Sequence, residues 1–438
     1  MGRSAPRGGE PVDSSPTASA SPHTLGVRAV QDHLMETLRT WIGLPRSATV
    51  QVPELPAPLA TRLLGIEEFE NPHRDQWGCW EASFSEAFRN GTLWVPAVDE
   101  WVAERRREFA GRVSIEALWP DSRPFVMCLT HDVDLISHDL TPGQALRRIR
   151  GAFTPSPGDR GRRLARLERL GRAIAKPLFH GMRSAPSTMR TLDRALTLER
   201  EYGVTASYFF TVYPPVRRSP YDCVYKMSDR CAFQGRPARV GDVVRTLFAE
   251  GFDVGLHPSY ETARDWEGIA VEKRVLEDVL GVRITTTRQH YLHWDIRLTP
   301  TAHARAGLTA DSTAGFNRNI GLRFGTSLPF FLFDLEAHQR VDVLEVPLVV
   351  QEGALFGANS LELDAASAVR VVKDLIDRIA AVQGVVTLLF HPHSFADEVY
   401  VSLYRWCVEY GLHRGAWFAS VRDIDRWWRA RAKRLAET

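Results

Sequence analysis

Apolar positions along the chain fall into two periods. Short runs of β-branched and aromatic residues stand at 125–129, 206–212, 253–256, 284–287, 308–310, 341–347, 385–390 and 416–419. Such runs, bounded by polar and turn residues, predict strands. Between many of them the spacing changes to that of a helix with one apolar face. Val243, Val244, Leu247 and Phe248 form a stripe that stops before Gly251. The pattern over 271–280 stops at Gly281, that over 301–306 stops at Gly307, and 365–381 is longer. Glycine just past the last periodic residue marks a helix C-terminus. This alternation begins near Pro124 and predicts a parallel α/β sheet; so many units point to a barrel.

Upstream the pattern is mixed. Val30, Leu34, Leu38 and Ile42 recur every four residues, which predicts a helix over 30–44. Trp77, Trp80, Phe84, Phe88, Trp94 and Trp101 make the next stretch rich in aromatics, read here as core rather than as a platform for sugar rings. Residues 28–118 are therefore expected to form a small N-terminal α/β domain with no assigned role. Residues 1–27, rich in Ser, Pro, Gly and Ala without a period, are expected to be a disordered tail.

Composition narrows the class. The 438 residues are 44% hydrophobic and 25% charged, which excludes a wholly disordered chain, a collagen and a coiled-coil rod. The length allows a large barrel with an appendage. No apolar run approaches the ~20 residues of a membrane span. A net charge of +2 gives no reason to expect a nucleic-acid partner. Five cysteines in so long a chain are no disulfide scaffold, and reduced thiols are expected, including Cys223 and Cys231. The first residues lack the apolar core of a secretory leader, so a cytoplasmic location is expected. One segment stands apart. Residues 141–190 hold twelve Lys/Arg against Asp159 and Glu168, an excess of +10. With Leu164, Leu167, Leu170 and Ile174 on one face, this basic insertion reads as a solvated helix. Its functional alternatives are a polyanionic substrate or an anionic membrane surface, the latter placing the protein at the inner membrane face.

The residues after the strand candidates carry the chemistry, because barrel enzymes set their reacting groups at the C-terminal ends of strands. The first strand is followed by Thr130, His131, Asp132, Val133 and Asp134. Later strands are followed by His257 and Glu261, by Arg288, Gln289, His290 and Tyr291, by Asp311, and by His391 and His393. Asp132 and Asp134, two apart on a strand, point the same way. Two carboxylates side by side repel unless a cation sits with them. A set of Asp and His suits Zn²⁺ or a similar divalent ion, with one Asp left over as base and a His as acid.

These residues resemble the motifs of the polysaccharide deacetylases (carbohydrate esterase family four), in the bacterial branch with an extra N-terminal domain. Residues 130–134 look like the first motif, 255–259 like the second, 288–291 stand at the arginine motif, Asp311 at the fourth, and 389–391 at the last. The resemblance covers about residues 124–430 and implies a deformed (β/α)7 barrel within 119–438. It implies a metal-dependent hydrolase that removes an N-acetyl group from a sugar of a polysaccharide or glycoconjugate. Asp132 would be the general base, Arg288 its partner and His391 the acid. Asp311 would orient an Arg or His. The metal would be Zn²⁺, with Co²⁺, Ni²⁺ or Mn²⁺ as alternatives, held by Asp134 and His257.

The chain departs from the pattern in two places. Where the family has a second His four residues after the first, Glu261 stands here, so the third ligand is His290 or Glu261. The arginine motif reads Gln289-His290 where a proline is usual. The alternative functions are a catalytically silent carbohydrate-binding protein and a hydrolase of another non-peptide C–N bond.

Overall fold

The computed structural model describes residues 22–136, 188–216, 219 and 221–438. The expected tail up to residue 21 and the basic insertion over 141–187 lie outside the described residues. Among the described residues there are twelve strands: β1 (Val126–Val133), β2 (Ala206–Phe210), β3 (Arg230–Phe233), β4 (Arg236–Arg239), β5 (Asp253–Leu256) and β6 (Thr286–Thr287), then β7 (Ala310–Asp311), β8 (Phe330–Asp334), β9 (Gln339–Glu345), β10 (Val350–Gln351), β11 (Val385–Leu389) and β12 (Trp417–Phe418). Ten of them form one sheet in the order β10-β11-β1-β2-β5-β6-β7-β9-β8, with β12 on the first residues of β1; β3 and β4 form a separate hairpin.

Every pair in the large sheet is parallel except β8 with β9. The fold is thus α/β with a mixed, open sheet, an incomplete barrel where a deformed (β/α)7 barrel is expected. The reason is visible at β9. One edge of β9 pairs with β7 and the other with the antiparallel β8, so no edge is left for β10. The turn from β8 to β9 is fixed by the Asp334 carboxylate, which accepts from the backbone of Glu336 and Ala337.

Side chains of β1 alternate between two cores, as a strand of period two must. Met127 and Leu129 join the core built with Leu192, Leu196, Val243, Leu247 and Leu375 from the outer helices. Val126 and Cys128 face the other core, with Trp41, Trp119, Trp294, Leu344 and Trp428.

That second core corrects the reading of the N-terminal region. Residues 22–125 hold helices and no strand, so this stretch is not α/β. Its helix Pro22–Ile42 starts inside the expected tail, where the Gly26 backbone packs so closely on the His338 ring that a Cβ would meet it at 2.8 Å. Leu38, Trp41, Val98, Val102 and Phe109 lie in one cluster with residues of β1, β7 and β9. Polar ties cross the same contact. The Trp41 indole donates to Pro329 O at 2.8 Å. Asp99, fully buried, accepts from Thr326 Oγ1, from Ser327 N at 2.7 Å and from Ser327 Oγ at 2.6 Å. Burial pushes its carboxyl up to about 6 against those hydrogen bonds. Asp99→Ala strands the three donors in a dry interior and should cost roughly 2–3 kcal/mol. Urea unfolding will show this, and an unchanged midpoint would refute it.

All five cysteines are free thiols. Among the described residues no helix is long and apolar enough to cross a membrane.

Candidate active site

The C-terminal ends of β1, β5, β6, β10 and β11 open on one cavity of about 510 Å³. Asp132 is the seventh residue of β1, and Asp134 follows that strand. His257 follows β5, Arg288 and His290 follow β6, Asp311 ends β7 and His391 follows β11. The structure brings Asp132, Asp134, His257, His290 and His391 together on the cavity lining.

Arg288 lies beneath them, fully buried. Its Nη1 is 3.2 Å from Asp132 Oδ1 and donates to Thr130 Oγ1 at 2.6 Å. Its Nε donates to Ser312 O at 2.7 Å and Nη2 to Ser312 Oγ at 2.9 Å. The guanidinium also lies over the Phe209 ring, 4.9 Å from its centroid. A fork held at four points fixes the carboxylate it touches.

His257 donates from Nδ1 to the Arg288 carbonyl at 2.5 Å, which turns Nε2 toward the two aspartates. Nε2 is 3.3 Å from Asp134 Oδ1 and 3.7 Å from Asp132 Oδ2. Burial opposes a charged imidazole here, yet the Asp132 and Asp134 carboxylates hold its pKa above the ordinary value. Asp134 shows the converse. Burial alone would raise it, but the His257 hydrogen bond and the charges of His290 and His391 hold it well below the usual carboxylate range.

His290 Nε2 is 3.7 Å from Asp134 Oδ1. The structure adds Cys223, from the stretch between β2 and β3. Donor atoms of Asp134, Cys223 and His290 all lie within 4.8 Å of one another, a cluster able to hold a divalent metal. Glu261, the alternative to His290, does not line the cavity. Residues four apart come together, one turn above the other, when the segment is an α-helix. After His257 the chain instead runs extended through Ser259 and makes only a 3₁₀ turn at Tyr260–Thr262.

His391 stands across from this cluster, Nε2 being 3.7 Å from Asp134 Oδ2. Its Nδ1 donates to Glu352 Oε1 at 2.7 Å, and its backbone N donates to the same oxygen at 3.0 Å. Burial lowers an imidazolium, but the Glu352 carboxylate outweighs it and brings His391 up to about 10. Glu352 in turn is held down to about 2, against its own burial, by His391 and by Ser394 Oγ. Sequence reasoning missed Glu352. It follows the two-residue β10, too short to leave a pattern.

Asp311 is fully buried and does not reach the cavity. Its neighbours are Thr313 Oγ1 and His303 Nδ1, the latter at 3.2 Å, and His303 faces Gln289 Oε1 at 3.4 Å. So it meets a histidine, in the layer behind the arginine motif. His131, on the opposite face of β1, contacts Phe390 O at 2.6 Å and Glu199 Oε1 at 2.7 Å and is buried away from the cavity.

One wall of the cavity comes from the N-terminal helical region. Gln76 and Trp77 line it beside Tyr291, Asn317 and Arg318. The Arg318 guanidinium lies over Trp77 at 4.8 Å, and Tyr260 donates to Trp77 O at 2.6 Å. Tyr291 and Leu292 have φ of 60° and 50°, left-handed conformations that β-carbon-bearing residues rarely adopt. Such strain concentrates at sites where the surrounding structure enforces it. Gly357, Asn359, Ser360 and Tyr400 line it as well.

No protein-family model matches the chain, and no curated protein matches it. Several solved structures resemble it, among them the following three. A protein described as a polysaccharide deacetylase from Mycobacterium smegmatis has TM-score 0.47 and 17% identity, over 73% of this chain and 96% of that one. Puue allantoinase has TM-score 0.44 and 15% identity, over 73% and 95%. A protein described as a polysaccharide deacetylase from Pseudomonas aeruginosa has TM-score 0.43 and 15% identity, over 73% and 96%.

Proposed function

We propose that the chain is a metal-dependent hydrolase that removes an N-acetyl group from a sugar. One observation carries the reading: the clamped Asp132 carboxylate, Asp134 and His290 of the metal-capable cluster, and the His391 imidazole paired with Glu352 meet on one cavity lining. When bound, a divalent ion at Asp134, His257 and His290 supplies Lewis acidity toward the acyl carbonyl and its attacking water. Asp132 takes the proton from that water, with its orientation fixed by Arg288. His391, kept charged by Glu352, gives a proton to the departing amine. Acetate and a free amino sugar leave. The cavity volume is that of a small-molecule site. Its walls combine aromatic residues, Trp77 and Tyr400, with amides and hydroxyls, Asn317, Gln351, Asn359 and Ser360. This mixture suits a sugar ring, and the sequence resemblance to the polysaccharide deacetylases supports the same substrate class.

The test is product analysis on purified protein of known metal content. N-acetylglucosamine and its oligomers are offered in one arm, and cyclic amides in the other. Acetate release that a chelator abolishes and Zn²⁺ restores is the expected result. Ammonia release without acetate would assign another C–N bond. Neither product from metal-loaded protein would leave a carbohydrate-binding role.

A further inference from the structure

Sequence reading left the third metal ligand open between His290 and Glu261, and Glu261 does not face the cavity. The loop before β3 supplies a different donor. We propose that Cys223 binds the cation as a thiolate and that Asp222 beside it orients His290 for the same task. The proposal rests on the metal-centre reading above and deepens it.

Distances carry the first half. Cys223 Sγ is 3.9 Å from Asp134 Oδ1 and 3.9 Å from His290 Nε2. His290 Nε2 is 3.7 Å, and His257 Nε2 3.3 Å, from that same oxygen. Zinc binds sulfur at about 2.3 Å and nitrogen or oxygen at about 2.0–2.1 Å, so tetrahedral neighbours stand roughly 3.3–3.6 Å apart. The triangle of Asp134, Cys223 and His290 therefore closes on a cation with movements of a few tenths of an ångström. Direction supports it too. Asp134, His257 and His290 line the cavity, whereas Cys223 is buried and does not. Sulfur thus approaches from the protein side; with Asp134, His257 and His290 it makes four donors, so water or substrate would join from the cavity side as a fifth ligand.

Asp222 carries the second half. His290 is buried, and its Nδ1 has no hydrogen-bond partner. The group facing it is Asp222 Oδ1, at 3.8 Å. That carboxylate is already pinned, since Oδ1 accepts from Tyr260 N at 2.7 Å and Oδ2 from Ser219 N at 2.8 Å. A small rotation of the ring lets Nδ1–H donate to it. The proton is then fixed on Nδ1, and the Nε2 lone pair is presented to the cation. The two consecutive residues 222 and 223 thus supply a ligand and the partner of another ligand.

A thiolate makes the donor set softer than Asp and His alone, so Zn²⁺ and Co²⁺ should be retained over Mn²⁺ and Mg²⁺. The test uses the full chain, stripped with a chelator and reloaded with Co²⁺. The expected spectrum shows a thiolate-to-cobalt charge-transfer band in the near ultraviolet beside the visible d–d bands. Cys223→Ser should lose the first and keep the second, and excess Mn²⁺ should fail to displace the ion from the unaltered protein. Should the variant not fold, the unaltered protein decides alone, because Cys223 is the one cysteine in the cluster among the described residues. Bound Co²⁺ with d–d bands but no charge-transfer band would overturn the thiolate while leaving the metal centre standing. Failure to bind either Co²⁺ or Zn²⁺ would overturn the metal-centre reading itself. For Asp222, Asp222→Asn should weaken Zn²⁺ binding by about 10–100-fold, the usual effect of losing such a partner; unchanged affinity would refute its role.

Discussion

Replacing Asp132 by Asn is expected to lower turnover by about 10²–10⁴-fold, the usual contribution of a general base. The cation should stay bound. Asparagine keeps the shape of the side chain and an oxygen for Arg288, but it cannot take a proton from water. The guanidinium keeps its other anchors at Thr130 Oγ1, Ser312 O and Ser312 Oγ, so it has no reason to swing away. A buried positive charge without its counter-charge does carry a cost, on the order of 1–3 kcal/mol. Rate, metal content and melting temperature should therefore be measured together. Full activity would show that Asp132 is not the base. Loss of the cation would show that Asp132, rather than Asp134, is the ligand, and that the two roles are exchanged.

Glu352→Gln should change the pH profile as well as the rate. Burial disfavours the His391 imidazolium, and the Glu352 charge and hydrogen bond are the largest forces raising it, ahead of Asp134 and Asp132. With the pKa raised to about 10, the acid stays protonated across the neutral range, and activity falls only as pH rises through that value. Glutamine still accepts a hydrogen bond but carries no charge. The alkaline limb should move down by about two pH units, and the rate at pH 9 should drop about tenfold. Near pH 6 most of the rate should survive, since the imidazole is then charged in either protein. An alkaline limb in the same place would show that Glu352 does not govern His391. A uniform loss at every pH would point to a merely structural role.

What the sequence made visible follows element length. Strands β1, β5 and β11 each carry a run of four or more buried residues and stand where the apolar pattern puts them. The site residues that follow them, Asp132, Asp134, His257 and His391, could be found for that reason. β6, β7 and β10 have two residues each; β6 and β7 still overlap the apolar runs 284–287 and 308–310, whereas β10 left no pattern. Glu352, which governs His391, follows one of these. Cys223 and Asp222 lie in a loop where only spatial proximity gives them meaning. β8 was missed because its aromatic run does not announce the antiparallel hairpin that ends the parallel order. The aromatic stretch near Trp77 proved to be divided. Trp80 packs with Leu93 and Phe316, while Trp77 faces the cavity. Composition alone cannot separate those two fates.

The short strands have a mechanical consequence. Between β5 and β9 the sheet is carried by β6 and β7, whose ladders are too brief to resist sliding. Arg288 spans the gap. Its fork ties Thr130 and Asp132 of β1 to Ser312 after β7, and its own carbonyl receives His257. The floor of the cavity is therefore braced by one side chain as much as by backbone. A lysine there would keep the positive charge but reach only part of that span, because an ammonium has no rigid fork. The sheet would stand, yet its two halves would be free to creep against each other. Alignment of base, cation and acid would degrade before the melting temperature gave any warning.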